Sequence, residues 1–308
     1  MFLILLSKVA PLYVTILIGF TAGKLLNPHS QTIAKLLFYI MGPVVVFSGT
    51  SKITIDKAVI SLPLLTWCIC CIVSLLVYKV SALIFRDNTR NILAFSSGSS
   101  SMGFFGLPVA LALFDNHTVS LYLLCYVGML LFENSCGFYI ATQGLYTAKQ
   151  CMRKLATLPA SYAIILALVF SYFKIPVPEF LLNTAVNIRS TYIVLGMMLL
   201  GIAVANIKVF HIDWKLIFLT IIIKYVVWPI FILSLIFIDK TITQLYYQDV
   251  YKALILLAII PISGTGMMLA TMLNYQPDKI AIMLLTNTVI GLFYVPLLIS
   301  LLLYLHLL

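Results

Sequence analysis

The sequence predicts an all-α polytopic membrane protein with ten transmembrane helices, two of which are broken near their middles. Composition gives the first observation, because 63% of the 308 residues are hydrophobic and only 9% are charged, whereas soluble domains carry about 25% charged residues. The mean hydropathy of +1.13 agrees with this class. Ten apolar stretches are long enough to cross a bilayer. Clusters of small residues interrupt the fourth and the ninth stretch.

Short polar loops separate the ten stretches. Turn-forming residues mark several of them, as in Asn27-Pro28 and Asp115-Asn116. The first stretch has no basic segment before it and no small-residue cleavage site after it, so we expect a retained helix rather than a signal peptide. The predicted spans are 4–24, 31–51, 62–85, 91–113, 119–144, 155–174, 180–205, 214–237, 250–273 and 279–306.

The distribution of lysine and arginine predicts the orientation of the chain. One alternate set of loops carries most of these residues, which places that set in the cytoplasm and both termini on the extracytoplasmic side of the cell membrane. The longest connection, 145–154, is basic and separates two halves of five spans each, 1–144 and 155–308. Because five is odd, the second half must enter the membrane in the opposite orientation to the first.

The two interruptions are the predicted binding site. A helix that breaks inside hydrocarbon frees backbone polar groups, which survive only where protein buries them or where they line a watery cavity. Interruptions at matching positions of two halves are a sequence indication of a transporter's binding site. The predicted substrate-binding residues of the two breaks are Ser100, Ser101, Gly103, Pro108, Pro261, Ser263, Gly264 and Thr265.

Three ionisable residues fall deep inside predicted spans, namely Glu133, Arg189 and Lys224. Such residues normally face a bundle interior or water and have partners there. Glu133 and Lys224 allow two interpretations, a buried ion pair that fixes helix packing or a functional pair. In the functional interpretation, Glu133 is a proton or cation site and Lys224 attracts an anion or acts as a gate.

Arg189 and Asn287 complete the predicted binding residues. The planar guanidinium of Arg189 matches a carboxylate, although its side chain could instead extend to the outer interface. Asn287 has a threonine on either side in the tenth span. Polar side chains at such positions also commonly bond a neighbouring helix, which is the alternative for Asn287.

Several other classes of function are not favoured by the sequence. The six cysteines lack metal-ligand spacing, so neither a metal site nor a cofactor is expected. The net charge of +10 comes from single residues in loops, which indicates topology signals and lipid headgroup contacts rather than nucleic-acid binding. An enzyme would need a nucleophile with its base, or metal ligands, at membrane depth. A receptor would usually carry a soluble output domain, and a transporter-like receptor remains an alternative.

With these motifs identified, the chain resembles the auxin efflux carrier family, which includes bacterial permeases. The segment from Gly103 to Ala110 resembles the family signature Asn-x-Gly-Phe-x-Gly-Leu-Pro, and the segment from Pro261 to Ala270 resembles a later one. The resemblance covers the whole chain. Where the family usually has asparagine before the first glycine of the signature, this chain has Ser101. This departure favours small carboxylates, with which bacterial members are associated, over auxin.

The resemblance implies a fold similar to that of bile-acid sodium symporters. Two inverted five-helix repeats would then bring the broken helices 4 and 9 across each other. Helices 1, 2, 6 and 7 would form a scaffold, and helices 3–5 and 8–10 a transport unit that moves past it like an elevator. The positive N-terminal ends of the half-helices after Met102 and Ser263 would face the substrate.

The predicted function is secondary transport of small organic anions, and the expected partners are that anion and the lipid bilayer. A sodium-coupled organic-anion symporter of the same fold is the main alternative, and it would require carbonyl and hydroxyl oxygens grouped as a cation site. Substrate identity, direction of transport and coupling ion are left open. The oligomeric state is also open, with a homodimer considered.

Overall fold

The computed structural model describes residues 2–142, 159–206 and 212–304, and over these ranges it consists of helices joined by short loops. The predicted linker 145–154 lies outside the described residues. Six of the described helices are long and apolar enough to cross a membrane, in agreement with a multi-pass membrane protein. These six are Ser30–Thr50, Val59–Ser81, Asn116–Thr142, Glu179–Ala205, Trp214–Thr243 and Pro277–Leu302.

Each helix keeps here the number of the predicted span that it overlaps. Five are uninterrupted α-helices, namely helix 1 (Phe2–Leu26), helix 3 (Lys57–Ser81), helix 6 (Pro159–Tyr172), helix 7 (Glu179–Ala205) and helix 10 (Pro277–Tyr304). Two are continuous but include π-helical turns, namely helix 2 (Ser30–Leu36, Leu37–Met41, Gly42–Thr50) and helix 8 (Trp214–Ile222, Ile223–Val227, Trp228–Ile238, Asp239–Thr243). Three are divided, namely helix 4 (Thr89–Gly98, Met102–Gly106, Leu107–Leu113), helix 5 (Asn116–Asn134, Cys136–Thr142) and helix 9 (Gln248–Ile259, Thr265–Leu273).

Helices 1 and 7 pack against each other at very short range, and glycines make this possible. A Cβ atom added to Gly19 would lie 2.1 Å from the main-chain oxygen of Met198, and one added to Gly201 would lie 2.0 Å from that of Ile16. Small residues let two membrane helices approach until their backbones touch. The two glycines therefore set the distance between these helices.

Helix 5 lies at the centre of the buried core. It packs against helices 3 and 9, while helix 3 also packs against helix 4. Helices 2 and 6 pack against each other at the side of this group, and helix 7 reaches the π-helical turn of helix 4. These neighbours are compatible with the expected scaffold and transport unit. The inverted repeat and the movement of one unit past the other remain predictions.

Aspartates fix the beginnings of three helices. Asp56, Asp115 and Asp213 each precede a helix and accept hydrogen bonds from main-chain N–H groups of its first turn. An N-cap side chain of this kind supplies an acceptor to N–H groups that have none within the helix. The hydroxyl of Thr118 and the main-chain N–H groups of the turn hold the pKa of Asp115 below its usual value.

Candidate functional site

Helix 4 is interrupted at a run of serines. Its first half ends at Gly98, and Ser99, Ser100 and Ser101 are not helical. Glycine and serine favour such an ending, because glycine loses the most backbone entropy in a helix and serine offers its hydroxyl to the backbone as an alternative partner. The second half starts with the π-helical turn at Met102 and continues to Leu113.

Helix 9 is interrupted at Pro261. The first half ends at Ile259, and Ile260 has an extended backbone, as is usual for the residue before a proline. Pro261 itself has no N–H group with which to continue the helix. The chain resumes its helix at Thr265, whose N–H donates to the hydroxyl of Ser263 over 3.2 Å.

The two interruptions pair with each other. Ser100 and Ile262 form an isolated antiparallel β-bridge, and the N–H of Ser101 donates to the carbonyl of Pro261 over 2.8 Å. The N–H of Ile262 donates to the side-chain oxygen of Asn287 over 3.1 Å. Backbone groups that lipid could not satisfy are therefore satisfied by the other break and by helix 10.

Glu133 joins the two breaks from helix 5. Its carboxylate accepts a hydrogen bond from the hydroxyl of Ser99 in the first break and one over 3.3 Å from the hydroxyl of Thr265 in the second. The carboxylate is almost fully buried. None of the ion pairs between described residues joins Glu133 to Lys224. The interpretation of these two residues as a mutual ion pair is therefore wrong, because each bonds to polar groups of the breaks instead.

Lys224 reaches the breaks from helix 8. Its ammonium donates to the hydroxyl of Ser100 over 2.5 Å and to the carbonyl of Leu257 over 3.3 Å. It also lies 4.5 Å from the centre of the Trp228 ring, within the range of a cation–π interaction. The indole N–H of Trp228 donates in turn to the carbonyl of Ser97 over 2.7 Å. Lys224 is completely buried and contacts both broken helices.

The two charged side chains lie at the ends of the half-helices. Lys224 bonds beside the C-terminal ends of the first halves, which end at Gly98 and Ile259. Glu133 bonds to Thr265, the first residue of the second half of helix 9. C-terminal helix ends carry partial negative charge and N-terminal ends partial positive charge. Lys224 thus lies at ends of opposite sign, whereas Glu133 lies between the positive end at Thr265 and Ser99, the residue that follows the negative end at Gly98.

Asn287 is buried beside the second break with one donor unused. Its side-chain oxygen accepts from Ile262 and, over 3.2 Å, from the hydroxyl of Tyr225. Its amide nitrogen has no hydrogen-bond partner among the described residues. Buried donors without a partner are rare, because their desolvation is not compensated. This nitrogen is therefore an unused hydrogen-bond donor beside the second break.

Arg189 lies on helix 7 near the first break. The side chain is partly buried and forms no hydrogen bond or ion pair with a described residue. Tyr192, one turn further along the helix, is buried, and its hydroxyl lies 2.7 Å from the position of a Cβ atom on Gly103. Helix 7 thus contacts the first break one turn away from Arg189.

Accessibility differs between the two breaks. Ser263 and Thr265 are partly exposed and Gly264 is exposed. A Cβ atom on Gly264 would meet no atom closer than Leu284 at 4.0 Å. The other predicted residues of the breaks are buried, namely Ser100, Ser101, Gly103, Pro108 and Pro261. Among these residues of the two breaks, the exposed ones therefore belong to the second break.

Several residues at the crossing were missed by the sequence analysis. Ser99 and Trp228 support the two charges, and three tyrosines surround the broken segments, namely Tyr126, Tyr192 and Tyr225. A tyrosine deep in an apolar span was a usable signal, because its hydroxyl needs a partner when it is buried.

Two surface cavities lie away from the crossing. One has a volume of about 490 Å³ and lies between the residues after helix 2 and those around the end of helix 6. The other has about 360 Å³ and lies at the start of helix 8. Neither is lined by a predicted binding residue. Within the described residues, no group of three or more His, Cys, Asp or Glu side chains is arranged to hold a metal ion.

Several apolar helices, two of them broken and paired at their breaks, define the class of multi-pass membrane proteins. Comparison with known proteins shows which transporters part of the chain resembles. Residues 4–144 match the family model described as membrane transport protein, and over these residues the match confirms the resemblance to the auxin efflux carrier family. Families of membrane transporters are generally not enzymatic.

The chain is also similar to an uncharacterized transporter, MJ1031, of Methanocaldococcus jannaschii. The two are 26% identical over 204 residues, which make up 62% of this chain and 66% of the relative. The alignment thus spans slightly less than two thirds of the relative's length.

Proposed function

We propose that the protein is a secondary transporter, a permease or an efflux carrier, for small organic anions such as carboxylates. The observation that carries this proposal is the pairing of two interrupted helices through Ser100 and Ile262. Discontinuous helices that meet in this way form the substrate sites of many secondary transporters. The family match of residues 4–144 supports the same class of function.

An anion suits the crossing because N-terminal helix ends face it. The second half of helix 4 begins at Met102 and the second half of helix 9 at Thr265. The N–H groups of Met102 and Thr265 already donate to Ser100 and Ser263, but the positive end of each helix dipole still favours a carboxylate. The unused amide nitrogen of Asn287 adds a donor beside the second break. The exposed Gly264 leaves room for the solute there.

Arg189 is the proposed charged contact to the carboxylate. Lys224 already donates to two oxygen atoms of the broken helices, whereas Arg189 has no acceptor among the described residues. A guanidinium can donate two parallel hydrogen bonds to one carboxylate. A movement that brings helix 7 along the break would bring this group to the substrate. Elevator movement of helices 3–5 and 8–10 against helices 1, 2, 6 and 7 is the proposed mechanism.

The proposal is tested with purified protein in liposomes. Uptake of radiolabelled mono- and dicarboxylates is measured for the wild type and for Arg189→Ala, Thr265→Val and Ser101→Ala. We expect each substitution to reduce transport of the accepted substrate at least several-fold. Ser234→Ala is a suitable control, because Ser234 is exposed and bonds only along its own helix. If all three variants transport like the control, the assigned site is wrong.

A further inference from the structure

Oxygen atoms from both broken helices converge on the buried ammonium of Lys224. We propose that this ammonium is a built-in cation in a site that a sodium ion would otherwise occupy, so that transport is independent of sodium and removal of the side chain creates a sodium-binding site. The inference rests on the proposed transport function only where it concerns coupling. Its part on ion binding can be tested without any substrate.

The partners of the ammonium are of the kind that coordinate sodium in transporters. The hydroxyl of Ser100 belongs to the first break, and the carbonyl of Leu257 belongs to the last turn of the first half of helix 9. Unwound segments and C-terminal ends of half-helices supply such oxygen atoms to coupling ions. Lys224 thus forms the link between both breaks that a bound cation would otherwise form.

The surroundings of the Lys224 ammonium favour a monovalent cation over a divalent one. Within the described residues, no carboxylate lies within ion-pair distance of Lys224. The charge is offset by the C-terminal ends of two half-helices and by the Trp228 ring at 4.5 Å. Divalent ions prefer sites that include carboxylates. A monovalent ion is therefore the ligand that the emptied site would accept.

A purely structural role for Lys224 makes a different prediction. A lysine that only fixes helix packing would leave a destabilised protein when it is removed, with no preference for one cation over another. A lysine that replaces an ion would leave a protein that sodium restores. The two roles therefore predict different effects of sodium, compared with another cation, on the stability of a variant without the Lys224 side chain. Thermal unfolding can measure this difference.

The experiment measures the Tm of full-length purified protein in sodium chloride and in choline chloride at equal ionic strength. We expect the wild type and Lys224→Arg to show no difference between the salts. Lys224→Ala should be less stable in choline, and sodium should raise its Tm saturably. At a sodium concentration about five times the Kd, the rise should be about 2–4 °C. Lys240→Ala is the control, because it removes an exposed lysine near the end of helix 8.

A double variant tests whether sodium binds at the proposed position. Adding Ser100→Ala to Lys224→Ala removes one proposed ligand, and the sodium response should weaken or disappear. A response that persists unchanged would place the ion elsewhere and overturn the inference. Lys224→Ser, which adds an oxygen atom, provides a second variant should Lys224→Ala fail to fold. Recovery of either variant from sodium buffer but not from choline buffer would support the inference.

Two further results would overturn it. One is a saturable, sodium-specific rise in the Tm of the wild type. The other is a Tm that is the same in sodium chloride and in choline chloride for folded Lys224→Ala and folded Lys224→Ser. Sodium-stimulated transport by the wild type in liposomes would refute the inference while leaving the proposed function intact. Failure to transport any carboxylate would refute the proposed function while leaving the test of ion binding valid.

Discussion

Substitution of Asn287 by alanine tests how the second break is held in place. The Asn287 side chain is the acceptor for the N–H of Ile262, the residue that pairs with the first break. Both residues are buried, so water cannot readily replace the lost acceptor. The variant should therefore leave a main-chain N–H group unsatisfied at the crossing.

The expected loss of stability follows from the contacts. An unsatisfied buried donor costs about 1–3 kcal/mol. The hydroxyl of Tyr225 adds little to this figure, because it also donates to the main-chain oxygen of Asn287, which remains in the variant. With about 2–4 °C in Tm for each kcal/mol, the variant should unfold about 2–12 °C below the wild type.

The assay is thermal unfolding of purified protein followed by intrinsic fluorescence. Thr288→Ala is the matched control, since Thr288 is the next residue and donates to the carbonyl of Leu284 in its own helix over 2.9 Å. Loss of that hydrogen bond should cost about 1 kcal/mol or less. If Asn287→Ala unfolds at the same temperature as Thr288→Ala, Asn287 does not hold the break and the reasoning fails.

Three further substitutions give contrasting results. Gly201→Ala should lower the stability by about 1–3 kcal/mol, because the new methyl group would lie 2.0 Å from the oxygen of Ile16; a Tm equal to that of the wild type would contradict this. Gly264→Leu should leave the Tm nearly unchanged but reduce transport in liposomes, since the space beside this glycine is open; unchanged transport would argue against solute at that position. Asp115→Ala should cost about 0.5–2 kcal/mol at pH 7 through loss of the helix cap. The hydrogen bond from Thr118 lowers the pKa of Asp115 in the folded protein. The stabilisation by Asp115 is therefore complete above the unfolded pKa of about 3.9 and is lost as the pH falls through the lower folded pKa. The Tm values of the wild type and Asp115→Ala should thus converge in acid.

The interruptions could be predicted from the sequence because local chemistry determines them. Pro261 lacks the N–H group that would continue a helix, and Gly98 with the following serines disfavours the helical conformation locally. The positions of the spans follow from hydropathy in the same way, and all the described helices overlap the predicted spans. The π-helical turns in helices 2 and 8 had no such local signal.

The partners of the charged residues could not be predicted. Glu133 bonds to Ser99 and Thr265, which lie 34 and 132 positions away in the chain, and Lys224 bonds to Ser100, 124 positions away. The sequence shows that both charges lie deep in predicted spans, but it left open whether they form an ion pair or act separately in function. Which oxygen or nitrogen atom each one reaches depends on how the helices pack, and this packing has no short-range signature in the sequence.

The geometry of Glu133 leads to a last prediction about coupling within the proposed function. The hydroxyl of Thr265 donates to Glu133, and a hydroxyl has a single proton to donate. A substrate carboxylate that accepts from the hydroxyl of Thr265 would compete with Glu133 for this proton, and two adjacent carboxylates repel each other unless one takes up a proton. Anion binding should thus be accompanied by proton uptake at Glu133. In Glu133→Gln the repulsion is absent, so the apparent KM for a transported carboxylate should depend less on pH than in the wild type. Uptake measured at several external pH values would test this. An equal pH dependence of KM in both proteins would show that protonation of Glu133 is not linked to substrate binding.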